Sequence, residues 1–266
     1  MDRNIYLEGV PGSGKSTLLA MLEGAYPGCR CYREGDISPV ELAWCAYMDE
    51  EQYRAALARF PELAAQIEAN TVREGEKLIV AYTRVKAQDG AFYAHMEQHE
   101  IYGGRRSEEE FRGIVLGRLA AFSGRGNVFE CSFFQNIIDE LLLFRCYSTE
   151  RIVAFYREMT ARMDMGAFRL IRLLPRDLAA SLEHVRRERV DEQGRQAWYE
   201  AMLSYLAGSP YGKAAGAADF DGLLRYFRAR QEAETAVLMT LPRGCWMDVY
   251  SREYALDDLK AFIWGA

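Results

Sequence analysis

The chain has 266 residues, half of them hydrophobic and 27% charged. This excludes a disordered or collagen-like protein, and the length can bury a core without metal or disulfide staples. A net charge of −6 and a pI near 5.3 argue against nucleic acid as the main partner, because a phosphate backbone selects a basic face.

In chain order, the first readable element is a short β-prone run, Asn4 to Glu8, ending in glycines. Leu18, Leu19, Met21 and Leu22 then repeat at helical spacing as far as Gly24. Arg30 to Arg33 is a candidate second strand. Ser38-Pro39-Val40-Glu41 predicts a helix start, with Ser38 as cap, Pro39 at the first helical position and Glu41 completing a capping box. From Glu50 to Asn70 the spacing of Tyr53, Leu57, Phe60, Leu63, Ala64 and Ile67 predicts helix, interrupted at Pro61. Leu78 to Tyr82 suits a strand or a helix. Ser107 and the three glutamates after it open another helix, whose acidic first turn complements its dipole.

Asn127 to Cys131 reads as a buried strand after the Gly124-Arg125-Gly126 turn. A helix is expected from Thr149 to about Met163, and a strand from Phe168 to Leu174, stopped by Pro175. Helical sequence continues to Leu241, broken near Gly208 to Gly212. Cys245 to Tyr250 is the last strand, and Leu256 to Trp264 a closing amphipathic helix. Strands separated by helices predict an α/β fold with a mainly parallel five-stranded sheet covered on both faces. No repeat, Pro-rich linker or low-complexity tract divides the chain, so residues 1–266 are expected to form a single domain.

No stretch approaches the ~20 consecutive apolar residues of a membrane span, and the run after Met1-Asp2-Arg3-Asn4 is too short for a signal peptide. The expectation is a cytoplasmic protein with its six cysteines reduced. Cys29 and Cys31 are the one close pair, with no second pair to complete a zinc set. His95 and His99 are four apart, but Met96-Glu97-Gln98 between them does not give the His-Glu-x-x-His order of zinc proteases. The excess of arginine, 28 against 5 lysines, suits contacts to phosphates or carboxylates, and high-GC codon usage produces it equally.

Gly9-Val10-Pro11-Gly12-Ser13-Gly14-Lys15-Ser16 fits the P-loop pattern at every fixed position, and Thr17 follows. Glycines let the backbone curl so that successive N–H groups face a β-phosphate, and the helix N-terminus adds positive partial charge. Gly9, Gly12, Ser13, Gly14, Lys15, Ser16 and Thr17 are therefore the candidate nucleotide-binding residues. Lys15 would bridge the β- and γ-phosphates, and Ser16 would be a Mg²⁺ ligand.

The chain has no Asn-Lys-x-Asp motif, no Asp-x-x-Gly after the strand ending at Cys131, and no Leu-Ser-Gly-Gly-Gln signature. It resembles instead the nucleoside and nucleotide kinases, the group of thymidylate kinase and the deoxynucleoside kinases. Arg33-Glu34-Gly35-Asp36 resembles the place where deoxynucleoside kinases carry the carboxylate that deprotonates the acceptor hydroxyl. Phe129-Glu130-Cys131-Ser132 resembles their Glu-Arg-Ser element, whose acidic residue serves Mg²⁺. Arg186-Arg187-Glu188-Arg189 resembles their arginine-bearing lid. The resemblance implies a P-loop NTPase sheet with helical insertions on the acceptor and lid sides. It also implies Lys15, Asp36, Arg186 and Arg189 as catalytic residues and Ser16 and Glu130 at the metal. Cys131 departs from the family's arginine, and Arg84, Arg105 and Arg106 are candidates to replace its charge. Glu-Gly-Asp-x-Ser-Pro-Val-Glu-Leu-Ala-Trp and Glu-Cys-Ser-Phe-Phe-Gln-Asn also resemble a narrower bacterial branch with no known substrate.

Other readings stand beside these. Asp36 also suits a turn before Ser38, with Glu34 the competing carboxylate, and the arginines at 186–189 also suit a solvated helix face tied to Glu183, Glu188 and Asp191. Trp44, Tyr47, Tyr82, Phe92, Phe133 and Phe134 suit either an acceptor base or the core. The leading expectation is an enzyme that moves the γ-phosphoryl of ATP·Mg²⁺ to a small hydroxylated or phosphorylated acceptor, a nucleoside, a nucleotide or another metabolite. The alternative is a nucleotide-dependent switch or regulatory ATPase that binds a protein. Neither nucleic acid nor membrane is an expected partner, and a homodimer is left open. The 94-residue offset from Asp36 to Glu130 exceeds what a compact nucleotide kinase needs, so specificity is expected to lie in the surplus.

Overall fold

The computed structural model describes residues 2–264. Its strands are β1 (Asn4–Gly9), β2 (Arg30–Tyr32), β3 (Ala46–Met48), β4 (Thr71–Glu74), β5 (Lys77–Val80), β6 (Asn127–Glu130), β7 (Phe168–Leu174) and β8 (Trp246–Tyr250). Its helices are α1 (Lys15–Ala25), α2 (Glu50–Arg59), α3 (Ala64–Ala69), α4 (Gly90–Glu97), α5 (Glu108–Ala121), α6 (Gln135–Asp139), α7 (Thr149–Thr160), α8 (Leu178–Glu188), α9 (Ala197–Gly208), α10 (Pro210–Ala215), α11 (Phe220–Leu238) and α12 (Leu256–Trp264). The chain forms two compact units, one of residues 1–31 and 123–266 and the other of residues 32–122.

The first unit is built on a parallel sheet in the order β2-β6-β1-β7-β8. Every residue of β1 is buried, as expected for a central strand covered on both faces. Alternation divides its side chains. Ile5 and Leu7 face a cluster with Leu18, Leu19 and Leu22 of α1 and Leu259 and Ile263 of α12. Tyr6 points the other way, with its ring 5.0 Å from that of Phe129 and 4.9 Å from that of Phe168. Register sets Glu8 of β1 opposite Arg172 of β7, and Arg172 opposite Asp248 of β8, so a charged row crosses the sheet on the Tyr6 face. Arg172 holds Asp248 through two 2.8 Å hydrogen bonds. From α11, Arg230 bonds Glu234 at 3.0 Å, and Glu234 also lies 3.6 Å from Arg172.

The second unit carries an antiparallel sheet in the order β3-β5-β4. Register places Ala46 opposite Val80 and Met48 opposite Leu78, and these four side chains share one core with Tyr53 and Ala56 of α2, Ile67 of α3 and Phe92 and Met96 of α4. The helix starts are well capped. Asp49 and Gln52 form a capping box on α2, and Ser107 and Glu110 form one on α5. Pro61 opens a single 3₁₀ turn between α2 and α3, as its ring and missing N–H demand.

Two expectations are corrected. No helix begins at Ser38: residues 38–45 form turns that lead into β3. Ser38 Oγ accepts the Val40 amide at 3.2 Å and Glu41 Oε1 the Ala43 amide at 2.5 Å. The two side chains that were to cap a helix instead close two-residue turns, the competing use of such groups. The helical insertion expected between Asp36 and Glu130 also contains the whole of the antiparallel sheet, with the ambiguous run at Leu78 a strand. Among the described residues, no helix is long and apolar enough to cross a membrane.

Candidate functional site

In the first unit the chain leaves β1 toward β2 and β6, then later returns to β7 on the other side of β1. The C-terminal end of β1 is therefore a switch point, where ligands of open parallel sheets bind. Gly9 to Gly14 connect that end to α1. A Cβ on Gly9, at φ +148°, would stand 2.5 Å from the Leu173 carbonyl oxygen; one on Gly12, at φ +74°, would stand 2.2 Å from Cγ2 of Val185. Neither position admits a larger residue. Val185 lies on α8, so the helix that bears Arg186 packs directly on the loop.

The loop is braced and yet holds unused donors. Ser251 Oγ donates to the Ser13 carbonyl at 2.6 Å. Lys15 is buried, and its Nζ donates to the carbonyls of Gly9 at 2.9 Å and Val10 at 3.2 Å, which holds a cation over the loop's own backbone. The first turn of α1 has no side-chain cap, and the buried hydroxyl of Ser13 has no hydrogen-bond partner. Uncapped amides, a buried unpartnered hydroxyl and an ammonium at a helix N-terminus together suit an anion with several acceptor oxygens.

Ser16, in the first turn of α1, donates to Oε1 of Glu130 at 2.5 Å. Glu130 ends β6, whose parallel pairing with β1 sets Leu7 opposite it. One hydroxyl and one carboxylate suit Mg²⁺, which retains several waters and takes few protein ligands. Among the described residues, no group of three or more His, Cys, Asp or Glu side chains is placed to hold a metal ion. Thr17 is exposed beside Ser16.

The arginines at 186–189 are engaged locally. Arg186 donates to Gln196 at 2.7 Å and to Glu183 at 3.2 Å and stacks on Tyr199, 4.6 Å from its ring centre. Arg189 follows α8 with its guanidinium 5.1 Å from the Trp198 ring. Arg187 pairs with Glu183 as well.

Asp36 and Glu34 belong to the second unit. Asp36 accepts the Arg33 amide at 2.9 Å and is bonded by the Arg84 guanidinium. Glu34 accepts the indole N–H of Trp44 at 3.1 Å. Trp44 is 44% exposed and has a left-handed backbone, φ +59°, an outlier for so bulky a residue. Of the three arginines proposed to replace the one missing at Cys131, Arg84 is bound to Asp36 and Arg105 to Glu97; Arg106 donates to the carbonyls of Tyr47 and His99 at 2.8 and 2.9 Å. Tyr82 and Phe92 are core residues of this unit, and Phe133 and Phe134 of the other.

Sequence reasoning passed over Glu8, Val185 and Ser251. Glu8 had a signal, a carboxylate closing an otherwise apolar strand. Val185 and Ser251 had none, since their importance comes from what they touch. No family model matches the chain, and neither a curated protein nor a solved structure is detectably similar to it.

Proposed function

We propose that the protein is a P-loop phosphotransferase that moves the γ-phosphoryl group of ATP to a small hydroxylated acceptor. The observation that carries this reading is the Ser16–Glu130 hydrogen bond at the uncapped N-terminus of α1, because it joins the anion-binding loop to a carboxylate from the neighbouring strand. Gly9, Gly12, Ser13, Gly14 and Thr17 would surround the phosphates with backbone and hydroxyl donors. Lys15 would exchange its two carbonyl partners for phosphate oxygens and stabilise the charge that develops on the transferred group. Ser16 and Glu130 would hold Mg²⁺, which neutralises charge on the β- and γ-oxygens. Asp36 of the second unit, bonded by Arg84, is the carboxylate that the kinase resemblance offers for the acceptor hydroxyl. Arg186 and Arg189 would change partners to meet the transferring phosphate.

The second unit carries 16 acidic side chains against 11 basic, a balance that suits a hydroxyl acceptor better than a phosphorylated one. The test is a screen of nucleosides, nucleotides and amino-sugar alcohols with γ-labelled ATP. Label is expected on a non-phosphorylated acceptor and is lost in Lys15→Ala and Asp36→Asn. If hydrolysis persists in Asp36→Asn and no acceptor is labelled, the transferase assignment is wrong.

A further inference from the structure

We propose that Glu8 is a positioning residue for Glu130, an inference that rests on the phosphotransferase reading of the site. Glu8 is fully buried at the end of β1, one residue before the loop that carries Lys15. A buried carboxylate is costly unless its oxygens are bonded, and here three backbone amides meet it. Phe133 donates to Oε1 at 2.7 Å, Phe134 to Oε1 at 3.0 Å and Gln135 to Oε2 at 3.3 Å. Those amides lie in the turn that leaves β6, three to five residues beyond Glu130.

The turn needs such an anchor. Cys131, next to Glu130, has φ +59°, a left-handed conformation that a residue with a side chain keeps only when its surroundings impose it. Other bonds close the same turn: the Cys131 amide to the Leu7 carbonyl at 3.0 Å, Ser132 Oγ to the Glu130 carbonyl at 3.1 Å, and Asn136 Nδ2 to the Cys131 carbonyl at 3.2 Å. Tyr6 of the same strand meets the turn through its ring, 5.8 Å from that of Phe133, whereas Glu8 binds the turn's backbone.

The charged neighbours of Glu8 make their hydrogen bonds elsewhere, and Arg230 and Glu234 act on it through charge. Arg172, opposite it in register, holds Asp248 and Thr235, and Arg230 holds Glu234. Amide binding is thus the work of the Glu8 carboxylate, and its consequence is a fixed distance between the loop at Gly9 and the side chain of Glu130. Glu8 touches neither phosphate nor metal in this account. It acts through Glu130, as partners behind a metal ligand do.

Mn²⁺ binding to the ATP complex, followed by electron paramagnetic resonance, tests the assignment beside ATP binding in EDTA. Glu8→Gln is expected to weaken Mn²⁺ about tenfold or more and to leave metal-free ATP affinity within about twofold. Combined with Glu130→Gln, it should add little to the loss from Glu130→Gln alone, because the first residue acts through the second. Circular dichroism and the unfolding midpoint report whether the variant folds. Should Glu8→Gln fail to fold, Glu8→Asp keeps the charge one methylene short of the amides and is expected to show the same selective loss of Mn²⁺. Unchanged Mn²⁺ affinity in a folded variant, or losses that add in the double variant, overturns the assignment and leaves the phosphotransferase reading intact. An unsubstituted protein that binds ATP without regard to divalent metal overturns that reading, and this inference with it.

Discussion

Ser16 and Glu130 are 114 residues apart in the chain and 2.5 Å apart in space. Two features create that contact: the turn from β1 into α1, which sets Ser16 in the first helical turn, and the parallel pairing of β1 with β6, which brings Glu130 level with Leu7. The pair joins the loop proposed to bind phosphate to a carboxylate, and it underlies the first prediction. In Ser16→Ala, ATP affinity in EDTA should stay within about twofold, while the gain on adding Mg²⁺ falls about tenfold, as expected when a metal ligand is lost without disturbing the loop. Isothermal titration with and without Mg²⁺ reads both quantities. An equal loss under the two conditions would place Ser16 outside the metal's reach.

Gly12 carries two separable constraints, a positive φ and the methyl of Val185. Gly12→Ala is expected to destabilise the protein by roughly 2–4 kcal/mol, about 1–2 from the left-handed backbone and the rest from overpacking. Adding Val185→Ala makes room for the new methyl, so the second change should cost less in the Gly12→Ala background than in the parent. Urea denaturation of the four chains measures the coupling. Strict additivity would show that α8 does not press on the loop.

Glu100 supplies a prediction about pH. Burial pushes its carboxyl up to about 7, against the lowering effects of the 2.5 Å hydrogen bond from Tyr82 and of nearby Arg105. Glu8 is also raised to about 7 by burial, in spite of the amides of Phe134 and Phe133. Between the ordinary carboxylate pKa and 7 the folded chain therefore binds more protons than the unfolded one. The contribution is fully present below the ordinary value and is lost as pH rises through 7. Stability from these two groups should fall across that window, at a slope of at most ~1.4 kcal/mol per pH unit for each. Glu100→Gln should flatten the profile measured by denaturant unfolding from pH 4.5 to 7.5. An unaltered slope would mean that Glu100 is ionised throughout.

Arg172 and Arg176 test how burial sets the value of an ion pair. Arg172 is 3% exposed and grips Asp248, at the solvent edge of the row, with two bonds, so Arg172→Ala removes two charged hydrogen bonds and a buried side-chain stem, leaves Glu234 with Arg230 alone, and is expected to cost about 2–3 kcal/mol. Arg176 meets Glu253 with good geometry but in solvent, and Arg176→Ala should leave the unfolding midpoint unchanged. Comparable losses from both would show that the burial of Arg172 adds nothing to its pair.

Most of the first unit's sheet was legible in the chain because its signals are local. Asn4 to Glu8, Phe168 to Leu174 and Cys245 to Tyr250 are apolar or alternating runs bounded by glycine or proline, and each became a strand within a residue or two of its expected bounds. Pro61 broke the helix where it was expected to. The antiparallel sheet was not foreseen. β3 has three residues and β4 only partly buried or exposed ones, so neither carries enough periodicity to be read, and β5 was ambiguous until its partners appeared. The Ser38 helix start failed for the opposite reason. A strong local signal there serves turns, because Ser, Thr and acidic side chains close turns as readily as they cap helices.

What the sequence determined by itself is chemistry that resides in consecutive residues: the glycines that allow a tight loop, Lys15 and Ser16 at a helix start, and the alternation that buries β1. The tertiary structure alone decided which distant groups complete that loop. It bonded Ser16 to Glu130, packed Val185 on Gly12, aligned Glu8, Arg172 and Asp248 across three strands, and bound Arg84 to Asp36. The reason is physical. Loop conformation and strand propensity depend on neighbours along the chain, whereas the pairing of buried charges depends on strand order and register, which local signals do not encode.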